Sequence, residues 1–165
     1  MNCVNCGAPM ELLETRPCWQ CRHCSTMICI EATQGVQVID APPDAPERGC
    51  PICRKPLRAA MMDGRVRVDV CEQCNGTLLA RRTFAETVIG RRRAAATPAK
   101  TPVPTSRREL ERRIACPACG ARMITDWYYG PGNIVIDTCP ACDLVWLDAG
   151  ELQRAIDAPG SDRRG

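Results

Sequence analysis

Twelve of the fourteen cysteines fall into six Cys-x2-Cys pairs, and the pairs group into three quartets. Cys3, Cys6, Cys21 and Cys24 make the first, Cys50, Cys53, Cys71 and Cys74 the second, and Cys116, Cys119, Cys139 and Cys142 the third. Fourteen, seventeen and nineteen residues separate the two pairs of each quartet. A Cys-x2-Cys knuckle sets two thiolates on one metal, and two knuckles joined by a hairpin close a tetrahedron around it, the arrangement of a structural zinc ribbon. The expectation is one Zn²⁺ per quartet, three per chain. Iron accepts the same four thiolates, but three ribbons without a second redox group favour zinc. A closed quartet keeps no open position for catalysis. With one histidine, no Ser–His–carboxylate set and no phosphate-binding glycine loop, hydrolysis and phosphoryl transfer have no apparatus. The chain therefore reads as non-enzymatic, with no small-molecule substrate evident.

The elements that must hold these ligands follow from the residues between them. Four residues after the second cysteine of each quartet stands Met10, Leu57 or Met123, an apolar strand start. Cys18, Val68 and Ile136 precede the third cysteine by three, and Cys29, Leu79 and Leu147 follow the fourth by five. The two extra cysteines thus occupy places that are aliphatic in the sister repeats, and Cys packs well as a small buried hydrophobe. Cys18-x2-Cys21-x2-Cys24 equally offers a spare thiolate for ligand exchange or redox sensing. His23, inside a knuckle, reads as a solvent-facing spacer. Asp63-Gly64 before alternating Val66, Val68 and Val70 signals a hairpin, as does Gly130-Pro131-Gly132-Asn133 before Ile134-Val135-Ile136. Capping boxes at Thr83-x-x-Glu86, Asp148-x-x-Glu151 and Ser106-x-x-Glu109 predict three short helices, the first running to about Arg93.

Composition agrees with metal as the main stabiliser. Apolar residues make up 45% of the 165, but nineteen are alanine, fourteen are cysteine, and only six side chains are aromatic. That is too little bulk for one well-packed core. The predicted fold is small, metal-stabilised and mainly β, with three tandem four-cysteine zinc ribbons built as antiparallel hairpins with short appended helices. The boundaries read as ribbon 1 over 1–40, a linker over 41–47, ribbon 2 with its helix over 48–93, a basic Pro/Ala-rich linker with a short helix over 94–113, ribbon 3 with its helix over 114–158, and a tail over 159–165. No apolar run reaches the ~20 residues of a membrane span, and the first residues lack the apolar core of a signal peptide. A cytoplasmic location is the expectation, since cytosolic Cys pairs bind metal more often than they form disulfides.

The third repeat carries more than ligands. Cys116-Pro-Ala-Cys119, Asp137-Thr-Cys139-Pro-Ala-Cys142 and Val145-Trp146-Leu147-Asp148-Ala149-Gly150-Glu151-Leu152 together resemble the bacterial zinc fingers grouped with transcription factor IIB. The Trp-Leu-Asp-x-Gly-Glu-Leu tail makes the likeness specific over residues 116 to 152. The second repeat keeps the cysteines but has Leu78-Leu79-Ala80-Arg81-Arg82-Thr83 in place of the tail, and the first keeps only cysteines and apolar frame. The resemblance implies a zinc ribbon and a link to transcription or macromolecular assembly.

Charge and aromatics suggest where a partner would bind. Residues 1–47 carry a net −4, 48–90 a net +4, 91–113 a net +6 and 114–165 a net −3. Each zinc with four thiolates adds about −2, which leaves a basic middle between acidic ends. Arg91, Arg92, Arg93, Arg107 and Arg108 are candidate phosphate contacts, with Arg112-Arg113 nearby. The same run reads equally as a solvated linker, and a third reading docks it on the acidic C-terminal ribbon. Trp127, Tyr128 and Tyr129 hold half the aromatics, and neighbouring strand residues point to opposite faces, so at least one ring is expected to be exposed. Such a ring suits base stacking or a protein interface; alternatively the three rings cover their own hairpin. The functional expectation is a zinc-binding accessory protein contacting nucleic acid or the transcription machinery. The alternative is a protein–protein adaptor without nucleic-acid binding.

Overall fold

The computed structural model describes residues 2–3, 6–12, 18–24, 27–29, 35–95, 99–102, 104–105 and 107–163, with residues 18, 27–29 and 107 described by their backbone alone. Its strands are β1 (Met10–Leu12), β2 (Cys18–Cys21), β3 (Met27–Cys29), β4 (Val36–Val38), β5 (Arg58–Met62), β6 (Val66–Val70), β7 (Thr77–Ala80), β8 (Ile124–Trp127), β9 (Val135–Cys139) and β10 (Leu144–Leu147). The helices are α1 (Arg81–Ala94), α2 (Arg107–Leu110) and α3 (Glu151–Asp157). The strands form two antiparallel sheets, β1-β2-β3 and β4-β5-β6-β7-β10-β9-β8.

The three repeats share one local geometry. An isolated bridge pins the first knuckle of each, Asn2 to Pro9, Gly49 to Pro56 and Ala115 to Arg122. The third strand of each ribbon meets the second in one register, with Trp19 opposite Ile28, Asp69 opposite Leu78 and Asp137 opposite Trp146.

What the spacing could not announce is that ribbons 2 and 3 merge. Strands β7 and β10 pair antiparallel with Leu78 opposite Trp146, and these residues each stand four past the fourth ligand. The two ribbons are therefore related by an approximate twofold axis between Leu78 and Trp146. Helices α1 and α3 pack together on one face, bringing Phe84 and Val88 against the equivalent Leu152 and Ile156 in a core with Val68, Leu79, Val145 and Leu147. The opposite face of the same strands joins Leu78 and Trp146 to both sets of zinc knuckles. Burial on both faces explains why Leu78-Leu79 in β7 and Leu144–Leu147 in β10 are consecutive apolar residues.

Three local expectations change. Val36–Val38, within the segment read as ribbon 1, pairs along β5 and extends the larger sheet. Thr83 does not open α1. The helix begins at Arg81 straight out of β7, and the Arg81 N–H donates to the Asp143 carbonyl at 2.9 Å, so a tertiary contact replaces the side-chain cap. Glu86 instead pairs with Arg82 one turn earlier. At α3 half of the expected box exists, the Asp148 N–H donating to Glu151 Oε2 at 2.7 Å. Ser106 lies outside the described residues. The Asp63-Gly64 turn is as expected, with both residues at positive φ and the Arg65 N–H returning to the Met62 carbonyl.

Candidate metal centres

Each quartet converges. Within Cys3/Cys6/Cys21/Cys24, Cys50/Cys53/Cys71/Cys74 and Cys116/Cys119/Cys139/Cys142, the four sulfurs all lie within 4.8 Å of one another. Close pairs include Cys3–Cys24 and Cys6–Cys21 at 3.5 Å, Cys50–Cys74 at 3.6 Å, Cys53–Cys71 at 3.3 Å and Cys119–Cys139 at 3.7 Å. Tetrahedral zinc with Zn–S of ~2.3 Å separates its sulfurs by ~3.8 Å, so the cradles are of zinc size.

The knuckles explain the convergence. The N–H groups of Cys3, Cys50 and Cys116 donate to the carbonyls of Ala8, Lys55 and Ala121, while Gly7, Arg54 and Gly120 return to the first cysteine's carbonyl with φ of +76°, +62° and +73°. The Ile52 and Ala118 N–H groups point at Cys50 Sγ and Cys116 Sγ, each at 3.4 Å, and stabilise thiolate charge. The neighbouring Cys119 sulfur, burial and the Cys139 sulfur push the Cys142 thiol up to about 12. The three quartets bind three Zn²⁺, and each is closed by four sulfurs. Burial differs: all four cysteines of the second quartet are buried, whereas Cys6 and Cys119 are exposed. The side chains of Cys18 and Cys29 lie outside what is described; their backbones stand opposite each other on β2 and β3.

The basic middle is divided in its use. Arg92 is not a surface group: it is 1% exposed, its Nη1 donates to the Ala155 and Ala158 carbonyls at 2.8 and 2.7 Å, and its Nε meets Asp162 at 2.5 Å. It caps the C-terminus of α3, where carbonyls lack helical partners and a cation suits the dipole. Arg91 pairs with Asp63 at the β5–β6 turn. Arg112 is buried between Asp137 and Asp148. Burial alone would lower its pKa, but the charges of Asp148 and Asp137 hold it above the ordinary arginine value. Lys100 pairs with Asp157 at 2.8 Å. The basic segment therefore docks on the acidic C-terminal part through Arg92, Lys100 and Arg112, whereas Arg91 docks on the second ribbon. Of the other candidates, Arg93 and Arg108 are exposed, and the Arg107 side chain lies outside what is described.

The Trp-Leu-Asp-x-Gly-Glu-Leu tail serves this interior. Trp146 is fully buried and donates from Nε1 to Asp148 Oδ1 at 3.1 Å, Asp148 holds Arg112, and Arg112 holds Asp137, which also accepts from Thr125. Arg112 sits four residues before the first ligand of its own quartet, a position that composition had assigned to the linker. Among the aromatics, Trp127 and Tyr128 are half-buried, Tyr128 lying edge-on to Phe84 with ring centres 4.9 Å apart, and Tyr129 is 93% exposed.

Beside the metal sites a shallow cleft of about 440 Å³ separates the Cys50 and Cys116 knuckles, lined by Gly49–Pro51, Arg54 and residues 113–117. Arg54, Lys55 and Arg113 are exposed there or next to it and make no ion pair among the described residues. Sequence reading passed over Arg54 and Lys55 because they are isolated within a knuckle rather than clustered. No helix among the described residues is long and apolar enough to cross a membrane.

Comparison with curated proteins and with solved structures gives no match. Residues 115–158, the third ribbon with its helix, match the family described as transcription factor zinc-finger.

Proposed function

We propose that this chain is a non-enzymatic accessory protein whose joined second and third ribbons contact nucleic acid. The cleft between the two first knuckles carries the reading: it brings Arg54 and Arg113 from separate ribbons to one opening, with Lys55 beside them. Exposed guanidinium groups that have no carboxylate partner among the described residues suit phosphate oxygens, and such binding falls steeply with salt. The family description of the third ribbon supports a setting in transcription. Fluorescence anisotropy with labelled single- and double-stranded oligonucleotides tests it. Replacing Arg54, Lys55 and Arg113 together with Ala is expected to leave three zincs bound, remove most affinity at low salt and flatten the salt slope by ~2–3, at ~0.7–0.9 per phosphate contact. Failure of the parent protein to bind any of these probes at low ionic strength defeats the reading.

A second reading, a protein adaptor, draws support from the β8 edge, where Ile124 is 53% and Tyr129 93% exposed. It gains if nucleic-acid binding is absent and Ile124→Lys with Tyr129→Ser abolishes capture of a protein partner while zinc content is unchanged.

A further inference from the structure

We propose that the first ribbon pairs with the first ribbon of a second copy of this chain, β3 against β3, about a twofold axis between the two Ile28 residues. The reason lies in the repeat. β7 and β10 are the third strands of ribbons 2 and 3, and each covers the other's free edge with Leu78 opposite Trp146, Leu79 opposite Val145 and Thr77 opposite Leu147. Counting from the fourth ligand, Met27, Ile28 and Cys29 correspond to Thr77, Leu78 and Leu79, and to Val145, Trp146 and Leu147. β3 meets β2 in the same register that β7 and β10 keep with their own second strands. Yet β3 ends its sheet, and among the described residues no strand lies on its other side. Among the described residues, the edge that ribbons 2 and 3 cover for each other is left open in ribbon 1. Open edges present unpaired N–H and C=O groups that template another strand.

A second copy is the occupant that the residue sizes favour. Pairing of β10 with another β10 would oppose two Trp146 rings, whereas in the cis pair Trp146 faces Leu78 and its indole lies over Gly76. Ribbons 2 and 3 are thus matched to each other. At the corresponding places ribbon 1 carries Thr26 and Ile28, two β-branched residues of moderate size that impose no such asymmetry. Repulsion is limited too: residues 1–30 hold two acidic and two basic groups, so each copy contributes only about the −2 of its metal site. An isologous contact of this kind closes as a dimer rather than a fibre.

The test uses the full zinc-loaded chain. Analytical ultracentrifugation is expected to show a reversible monomer–dimer equilibrium. Ile28→Asp and Ile28→Lys, each placing like charges opposite each other at the axis, are expected to weaken association at least tenfold while retaining three zincs, and mixing the two should restore a 1:1 pair. Hydrogen exchange on the unmodified chain keeps the proposal falsifiable should either variant lose zinc. Raising the concentration should protect the amides of Met27, Ile28 and Cys29. A chain that stays monomeric at several hundred micromolar, or protection that appears at β4 or β8 instead, overturns it.

Discussion

The indole of Trp146 occupies the space that a side chain at position 76 would need: a Cβ on Gly76 would overlap Trp146 Cζ2. Gly76 lies two residues past Cys74, and its counterpart in the third ribbon is Leu144. The large residue of one ribbon therefore fits the empty place of the other, which locks the shared sheet and sets the zinc knuckles on either side of one apolar seam.

Gly76→Ala is accordingly expected to cost at least about 1–3 kcal/mol, because an overpacked site must displace a buried ring. Trp146→Leu alone should also destabilise, by leaving a cavity and removing the indole donor to Asp148 Oδ1, while the Arg112 pair of Asp148 remains. The double variant should be less unstable than the sum of the two, which denaturant midpoints in a double-mutant cycle would reveal. Simple additivity would mean that the two positions do not share one space.

Metal removal should follow burial. Structural zinc contributes ~10–16 kcal/mol of apparent binding energy to small folds, so a strong chelator is expected to abolish ordered structure. Elemental analysis should give three zincs per chain. With a colorimetric chelator the zinc of the fully buried second quartet should leave last, after those whose quartets expose Cys6 and Cys119. Cys21→Ser should cost one zinc and Cys18→Val none. Loss of a zinc with Cys18→Val would reassign the ligands of the first site.

Arg92 and Arg93 are adjacent in sequence and opposite in consequence. Arg92→Ala removes hydrogen bonds from a charged donor to the last carbonyls of α3 and should cost about 2–3 kcal/mol. Arg93→Ala, at an exposed position, should stay within about 0.5 kcal/mol of the parent. Thermal or urea unfolding of both variants measures the contrast, and equal effects would contradict the capping role.

Burial, reinforced by the charge of Asp148, raises the Glu151 carboxyl well above the ordinary carboxylate range. A raised folded-state pKa means that the folded chain holds this proton more tightly than the unfolded one. The stability it contributes is complete below the unfolded-state pKa and is lost as pH rises through the folded value. Glu151→Gln removes that penalty. Its unfolding free energy relative to the parent should therefore improve as pH rises from the unfolded-state carboxylate pKa through the folded-state value, while protonation of the zinc ligands affects both proteins alike. A difference that is flat with pH, or that moves the other way, would show that Glu151 is ionised in the fold without cost.

The ligands and the local ribbon were legible because they are sequence-local. A knuckle is a few residues long, its turn is set by the backbone between two cysteines, and the twelve ligands follow from spacing alone. The apolar frame of Leu79, Val68, Ile136 and Leu147 was legible for the same reason, since strand periodicity places such residues inward. Arg92 and Arg112 were misplaced because a guanidinium is assigned to solvent until a buried carboxylate or an uncapped helix end is found for it, and those partners lie 70 and 25 residues away in Asp162 and Asp137.

What the sequence determined by itself is therefore the number of metal sites, their ligands, their closed chemistry and the hairpins between them. Only the tertiary structure decided that ribbons 2 and 3 share one sheet, that Trp146 is received by Gly76, and that the basic middle is partly spent on holding α3 and the third ribbon. The physical reason is that zinc coordination and turn formation are fixed by short-range geometry. The pairing of two strand edges depends instead on matched shapes and charges brought together from distant parts of the chain.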